Sequence, residues 1–124
     1  MIIGIGTDLT ERNRIRKACE KERFLSKYYT EKEIVLLQYR PESAAGNFAV
    51  KEAAAKALGT GFRGFGPADI EVLRDALGKP EVHLYGGAAE LAERLGAERI
   101  HASISDDGDY ALAFVVIEGM DRQI

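Results

Sequence analysis

A single cysteine, Cys19, stands in a chain of 124 residues, so an internal disulfide is impossible and a reducing, cytoplasmic setting is expected. No apolar run is longer than Ala111 to Ile117, far short of the roughly 20 residues that a membrane-spanning helix needs. The first residues lack a basic segment and carry Asp8 where a secretion signal is still apolar. Positive charge is not in excess either. With 17 Lys and Arg against 20 Asp and Glu, the formal net charge is −3, which argues against general nucleic-acid binding. Repeats, low-complexity tracts and linkers are absent, and residues 1–124 read as one domain with its own core.

What charge there is lies unevenly. Residues 11–27 hold seven bases (Arg12, Arg14, Arg16, Lys17, Lys21, Arg23, Lys27) against three acids, a local +4, so the remainder carries −7. A basic segment of this kind attracts an acidic partner or a phosphate-rich ligand and steers its approach, or is simply a solvated helix face.

The stretch from Gly46 to Gly61 reads as a helix with a hard stop. Ala, Leu, Lys and Glu favour helix, Gly59 suits a left-handed C-terminal cap, and Ser43 is placed to cap the N-terminus. Phe48, Glu52 and Lys56 are spaced by four and share one face. Alone, a Glu–Lys pair at this spacing is ordinary surface chemistry worth about 0.2–0.5 kcal/mol. Next to a Gly59-Thr60-Gly61 loop, the same carboxylate and ammonium are parts that phosphate chemistry uses.

The remaining pattern supplies the frame. Met1 to Ile5 reads as a buried strand, with Asp8 just beyond its end, where a carboxylate points into a site or serves as a turn residue. Leu9 stands where a dinucleotide-binding fingerprint would need a third glycine, so that reading fails. Residues 11–18 form a short helix, and Thr30-Glu31-Lys32-Glu33 is a capping box opening a helix to about Tyr39. Segments 69–74 and 81–85 alternate as a hairpin, and a helix over 88–95 stops at Gly96. Two last strands, 100–105 and 110–118, are joined by the turn Asp106-Asp107-Gly108-Asp109. His83 and His101 fall in strands and read as satisfied or solvent-facing rather than as ligands. The tail from Met120 to Ile124 reads as a frayed end. This order predicts an α+β fold: a small, antiparallel-rich sheet packed against a long central helix and shorter helices.

Several blocks together carry a family resemblance. They are Gly4-Ile5-Gly6-x-Asp8-Leu9-x-Glu11-x-x-Arg14-Ile15, Arg23-Phe24 with Thr30-x-x-Glu33, and Ala45-Gly46-x-Phe48-Ala49-x-Lys51-Glu52-Ala53-x-x-Lys56-Ala57-Leu58-Gly59-Thr60-Gly61. Asp69-Ile70-Glu71, Gly78-Lys79-Pro80 and Ser103-Ile104-Ser105 complete them. In this order the chain resembles, over nearly its whole length, the holo-(acyl-carrier-protein) synthases of the 4′-phosphopantetheinyl transferase superfamily.

The resemblance implies a reaction and its parts. Phosphopantetheine would move from coenzyme A to a serine of apo-acyl-carrier protein in fatty acid biosynthesis, releasing adenosine 3′,5′-bisphosphate, with Mg²⁺ on the diphosphate. Asp8 and Glu52 would be the Mg²⁺ ligands and Lys56 would hold the diphosphate; the serine proton would go to a metal-bound water or to Glu52. Gly59 and Thr60 would line the pantetheine arm, while Gly78, Lys79, Pro80, Ser103 and Ser105 would meet the nucleotide part of coenzyme A. Arg14, Arg23 and Lys27, with Phe24 and Phe48 as apolar anchors, would receive the acidic carrier protein. Homotrimers with shared active sites are implied. Two residues depart from the family pattern: Asp106 stands where His is usual after Ser-x-Ser, and Asn47 where Arg is common. Both remove positive charge from a site for an anionic substrate. They alone favour a non-catalytic binder of coenzyme A or carrier protein; an unrelated basic adaptor for acidic proteins is the other reading.

Overall fold

The computed structural model describes residues 1–120; the rest of the tail read as frayed, 121–124, lies outside the described residues. In chain order the elements are β1 (Ile2–Glu11), α1 (Arg12–Ala18), α2 (Glu22–Tyr28), α3 (Glu31–Tyr39) and α4 (Ser43–Ala57). After a 3₁₀ turn at Pro67–Asp69 come β2 (Ile70–Arg74), β3 (Pro80–Leu84), α5 (Gly86–Leu95), β4 (Ala97–Asp107) and β5 (Tyr110–Gly119). The strands make two antiparallel sheets, one in the order β1-β5-β4 and the other the β2-β3 hairpin. The α+β class is therefore as expected from the alternation of patterns along the chain.

Helix α4 is the centre of the molecule. Thirteen of its fifteen residues are buried, most of them alanine, so neighbouring elements come close to its backbone. One side of the three-stranded sheet packs on it through Ala113, Val115 and Ile117 of β5; β2 contributes Ile70 and Val72 to the same core. A second cluster, with Ile15, Tyr29, Leu37, Ala44 and Phe48, joins α1–α3 to the start of α4. There the Tyr29 hydroxyl donates to the Ala44 carbonyl at 2.8 Å.

The reading of Met1–Ile5 as a buried strand needs correction. Strand β1 runs on to Glu11, and Ile2 and Ile5 are 64% and 60% exposed. Ile3 alone of its isoleucines packs on the core, and the other inward positions are glycines, because a Cβ on Gly6 would lie 1.9 Å from the Ala53 carbonyl oxygen of α4. Two backbones touch here, and only glycine permits that approach. Asp8 consequently sits within the strand on the inward face, not beyond its end.

Two helix starts also differ. Ser43 is the first residue of α4, not its cap, because the chain is already turning at Glu42 (φ −66°, ψ −14°) and Ser43 N–H donates to Arg40 O at 3.0 Å. Helix α5 begins at Gly86, two residues early, after an extended Tyr85. The Thr30–Glu33 capping box forms in full, with Glu33 N–H donating to Thr30 Oγ1 at 3.2 Å and Thr30 N–H to Glu33 Oε1 at 3.1 Å.

Candidate active site

Packing of β1 across α4 brings Asp8, Glu52 and Lys56 together. Lys56 Nζ donates to the Thr7 carbonyl at 2.9 Å and lies 3.7 Å from Asp8 Oδ1. Asp8 Oδ2 accepts a 2.5 Å hydrogen bond from the Thr10 hydroxyl. Burial, and after it the charge of Asp8, push the Glu52 carboxyl above its ordinary value, while Lys56 and Arg14 draw it down. A Glu52 carboxyl whose ionisation burial and Asp8 oppose, with only Lys56 and Arg14 acting the other way, marks a site with room for more positive charge. No group of three or more His, Cys, Asp or Glu converges among the described residues. A pair of carboxylates is nonetheless the protein donor set that Mg²⁺ commonly takes, with water and phosphate oxygens completing its octahedron.

The α4 helix stops where the sequence indicates, with Gly59 at φ +90° in the left-handed region. Gly59 and Thr60 are exposed beside Lys56, and the Thr60 hydroxyl turns back onto Gly61 O at 2.8 Å. Gly78, Lys79 and Pro80 form the end of the β2–β3 turn, where Asp75 Oδ1 accepts from Leu77 N–H and Lys79 N–H, both at 2.9 Å. Lys79 is exposed. Ser103 and Ser105 lie on the other side of the main sheet, opposite Phe114 and Leu112 of β5 and away from α4. Within one chain they do not meet the Asp8–Glu52–Lys56 group.

The basic segment folds into α1 and α2 around an aromatic stack. Phe24 stacks on Tyr28 with ring centroids 4.4 Å apart, and Tyr28 tilts against Phe48 at 5.3 Å. The Arg14 guanidinium lies 5.6 Å from the Phe48 ring and Lys27 Nζ 5.5 Å from the Tyr28 ring. Arg23 is exposed on the same helix as Lys27. Phe48 is only 6% exposed, so it supports the patch from beneath and is not a surface anchor.

Sequence reading overlooked the polar interior. Lys51 is buried, with Nζ donating to Glu33 Oε1 at 2.6 Å, to Pro67 O at 3.1 Å and to Ile70 O. Nearby, Glu71 Oε2 accepts from the Thr30 hydroxyl at 2.6 Å and Oε1 from Tyr85 OH at 3.1 Å. A lysine inside an alanine-rich helix carries no sequence mark of burial. Thr10 did carry a signal, since residues two apart on a strand share a face. Arg74 carried none, because its contacts, Asn47 and Gly78, come from a separate helix and from its own turn. Asp106 belongs to β4, paired with Ala111, and is not in the turn that the sequence suggested.

These features can be set beside known proteins. The model of the 4′-phosphopantetheinyl transferase superfamily matches residues 4–115. A holo-[acyl-carrier-protein] synthase of Lachnoclostridium phytofermentans is 55% identical over 118 residues, 95% of this chain and 97% of the relative. Among solved structures, the synthase of Neisseria meningitidis superposes with a TM-score of 0.85 at 39% identity, covering 95% of this chain and 99% of that one. The Bacillus anthracis synthase in complex with CoA (3′,5′-ADP) gives 0.79 at 36% identity, covering 97% and 99%. A match of this extent in both sequence and fold makes the chain an enzyme of the holo-[acyl-carrier-protein] synthase family, within the 4′-phosphopantetheinyl transferase superfamily.

Proposed function

We propose that this protein transfers the 4′-phosphopantetheine arm of coenzyme A to the acceptor serine of an apo-acyl-carrier protein, using Mg²⁺, in the cytoplasm and in the service of fatty acid biosynthesis. The observation that carries this reading is the convergence of Asp8, Glu52 and Lys56 beside the exposed Gly59–Thr60 loop. Phosphoryl transfer asks little covalent chemistry of a protein; positioning and charge neutralisation dominate. Asp8 and Glu52 are the residues that would hold Mg²⁺, and the room for more positive charge at the site fits it. When bound, the ion would neutralise diphosphate charge. Lys56 binds and orients the same diphosphate. The proton of the acceptor serine would pass to Glu52 or to water held at the site.

The acidic carrier protein is read as docking on α1 and α2, with Arg14, Arg23 and Lys27 meeting its charges and Phe24 and Tyr28 its apolar surface. Ser103, Ser105, Gly78, Lys79 and Pro80 are assigned to the nucleotide part of coenzyme A. A homotrimer with shared sites is part of the same reading. Its support is the outward face of the main sheet, where Ile5, Leu9, Leu112 and Phe114 leave an exposed apolar surface bordered by Ser103 and Ser105. A neighbour covering that face would carry the two serines to its border. The lone, partly buried thiol of Cys19 agrees with a reducing compartment, and residues 1–124 act as one catalytic domain.

Intact-mass analysis of a bacterial apo-acyl-carrier protein, incubated with this protein, coenzyme A and Mg²⁺, tests the reading directly. A gain of one phosphopantetheine, abolished by EDTA, is the expected result. No gain on a carrier that another transferase does modify would leave only binding of coenzyme A or carrier.

A further inference from the structure

Asn47, read from sequence as a lost positive charge, is fully buried and held from both ends. Its Nδ2 donates to Val72 O at 2.9 Å and to Glu33 Oε2 at 3.4 Å. Its Oδ1 must then face the other way, where it accepts from Arg74 Nε at 3.2 Å and from Arg74 Nη2 at 2.9 Å. A flipped amide would set donor against donor at the guanidinium and acceptor against acceptor at Val72, so the orientation is unambiguous. Arg74 Nη1 donates to Gly78 O at 3.4 Å, tying the same guanidinium to the β2–β3 turn. Gly46 leaves it room: a Cβ there would stand 3.2 Å from Nη2. A guanidinium has five N–H donors, and these three bonds leave two for a ligand among the described residues. Burial lowers the pKa of this guanidinium; of the charges facing it, Asp106 and Glu42 favour its cationic form and Arg40 opposes it.

We propose that Arg74 binds the ribose 3′-phosphate of coenzyme A and that Asn47 is the residue that positions it, so the positive charge absent from position 47 is supplied by β2. The proposal rests on the transferase reading above. The choice of phosphate follows from the turn to which the guanidinium is tied. Gly78 belongs to the turn assigned above to the nucleotide part of coenzyme A, whereas the diphosphate is assigned to Lys56, and coenzyme A has one other anionic group, on its ribose. Two remaining N–H donors in a fixed fork suit a phosphate, and exposed Lys79 follows Gly78 in the same turn.

The test compares binding of adenosine 3′,5′-bisphosphate and adenosine 5′-monophosphate by calorimetry, for the full chain and for Arg74→Gln, Arg74→Lys and Asn47→Leu. The same variants are assayed for KM with coenzyme A and with dephospho-coenzyme A. Arg74→Gln should weaken the bisphosphate on the order of tenfold and leave the monophosphate unchanged, with Arg74→Lys between. Asn47→Leu should raise KM for coenzyme A but not for dephospho-coenzyme A, with kcat kept. A purely structural role would lower thermal stability and move both nucleotides alike, which overturns the proposal. So would an unchanged preference in Arg74→Gln, a test that stands even where the buried Asn47→Leu fails to fold. If the wild-type chain prefers the bisphosphate through Arg74 yet transfers nothing, the transferase reading falls and this one stands.

Discussion

Thr10 holds Asp8: its hydroxyl donates to Asp8 Oδ2 at 2.5 Å from a position 1% exposed, two residues on along the same strand face. One oxygen of the carboxylate is thereby engaged, and the other, Oδ1, faces the Lys56 ammonium at 3.7 Å. Hydrogen bonds to ligating carboxylates orient them, and losing such a partner typically costs about 10–100-fold in metal affinity. Thr10→Val keeps the shape and removes the donor. It should weaken Mn²⁺ binding, followed by electron paramagnetic resonance, about tenfold while leaving the circular dichroism spectrum unchanged. Unaltered Mn²⁺ affinity would show that Thr10 does not position Asp8 for a metal.

Lys56 is 56% exposed, so its loss should affect chemistry much more than folding. Lys56→Ala is expected to lower kcat on the order of 100-fold and to change stability by no more than about 0.5 kcal/mol. Paired turnover and urea-denaturation measurements separate the two effects; a variant that loses both together would make Lys56 structural.

The buried pair Lys51–Glu33 behaves in the opposite way. Lys51→Met strands the Glu33 carboxylate, which still faces Asn47 and the Thr30 N–H, in a dry interior. A loss of about 3–5 kcal/mol is expected in chemical denaturation. Adding Glu33→Leu removes the orphaned charge and should recover much of it. A double variant as unstable as Lys51→Met alone would show that packing, not the unpaired charge, sets the cost.

Contact between β1 and α4 leaves no space at Gly6. A methyl group there would meet Ala53 O at 1.9 Å, and backbone cannot step aside as a side chain does. Gly6→Ala should cost at least about 1–3 kcal/mol. It should also reduce turnover by moving Asp8 away from Glu52. Full activity in a stable Gly6→Ala protein would contradict the close packing.

On the sheet's outward face, His101 Nε2 and Glu118 Oε1 are 2.5 Å apart, and both side chains are largely exposed. The hydrogen bond from His101 holds the Glu118 carboxyl below its ordinary value. A depressed carboxylate stabilises the fold above the ordinary carboxylate range, and that contribution is lost as pH falls through the lowered folded value. In an NMR titration, His101→Ala should return the Glu118 midpoint upward to the usual range. No movement would mean that the pair is not formed in solution.

Much of this protein was legible from its residues because the deciding signals are local. The Thr30–Glu33 box, the Gly59 stop and the β2–β3 hairpin depend on neighbours within a few positions, and each appears as read; the alternation read for β2 does not, since Glu71 is buried with Ile70 and Val72. The face shared by Glu52 and Lys56 follows from the helical repeat alone. Asp8 could be singled out, but its place inside a strand could not, because an apolar run such as Met1–Ile5 does not say which face will be covered.

That decision was tertiary. Alanines on α4 and glycines on β1 let two backbones meet, which turned Ile2 and Ile5 outward and brought Asp8 inward to Glu52 and Lys56. The burial of Lys51 and Glu33 and the clasp of Asn47 on Arg74 have the same origin. Each joins residues from different elements, whose meeting depends on how helix and sheets pack and not on any spacing along the chain. Local pattern thus determined most of the elements, and the order of the motif blocks carried the family resemblance; packing alone decided which charges share a site and which are sealed inside.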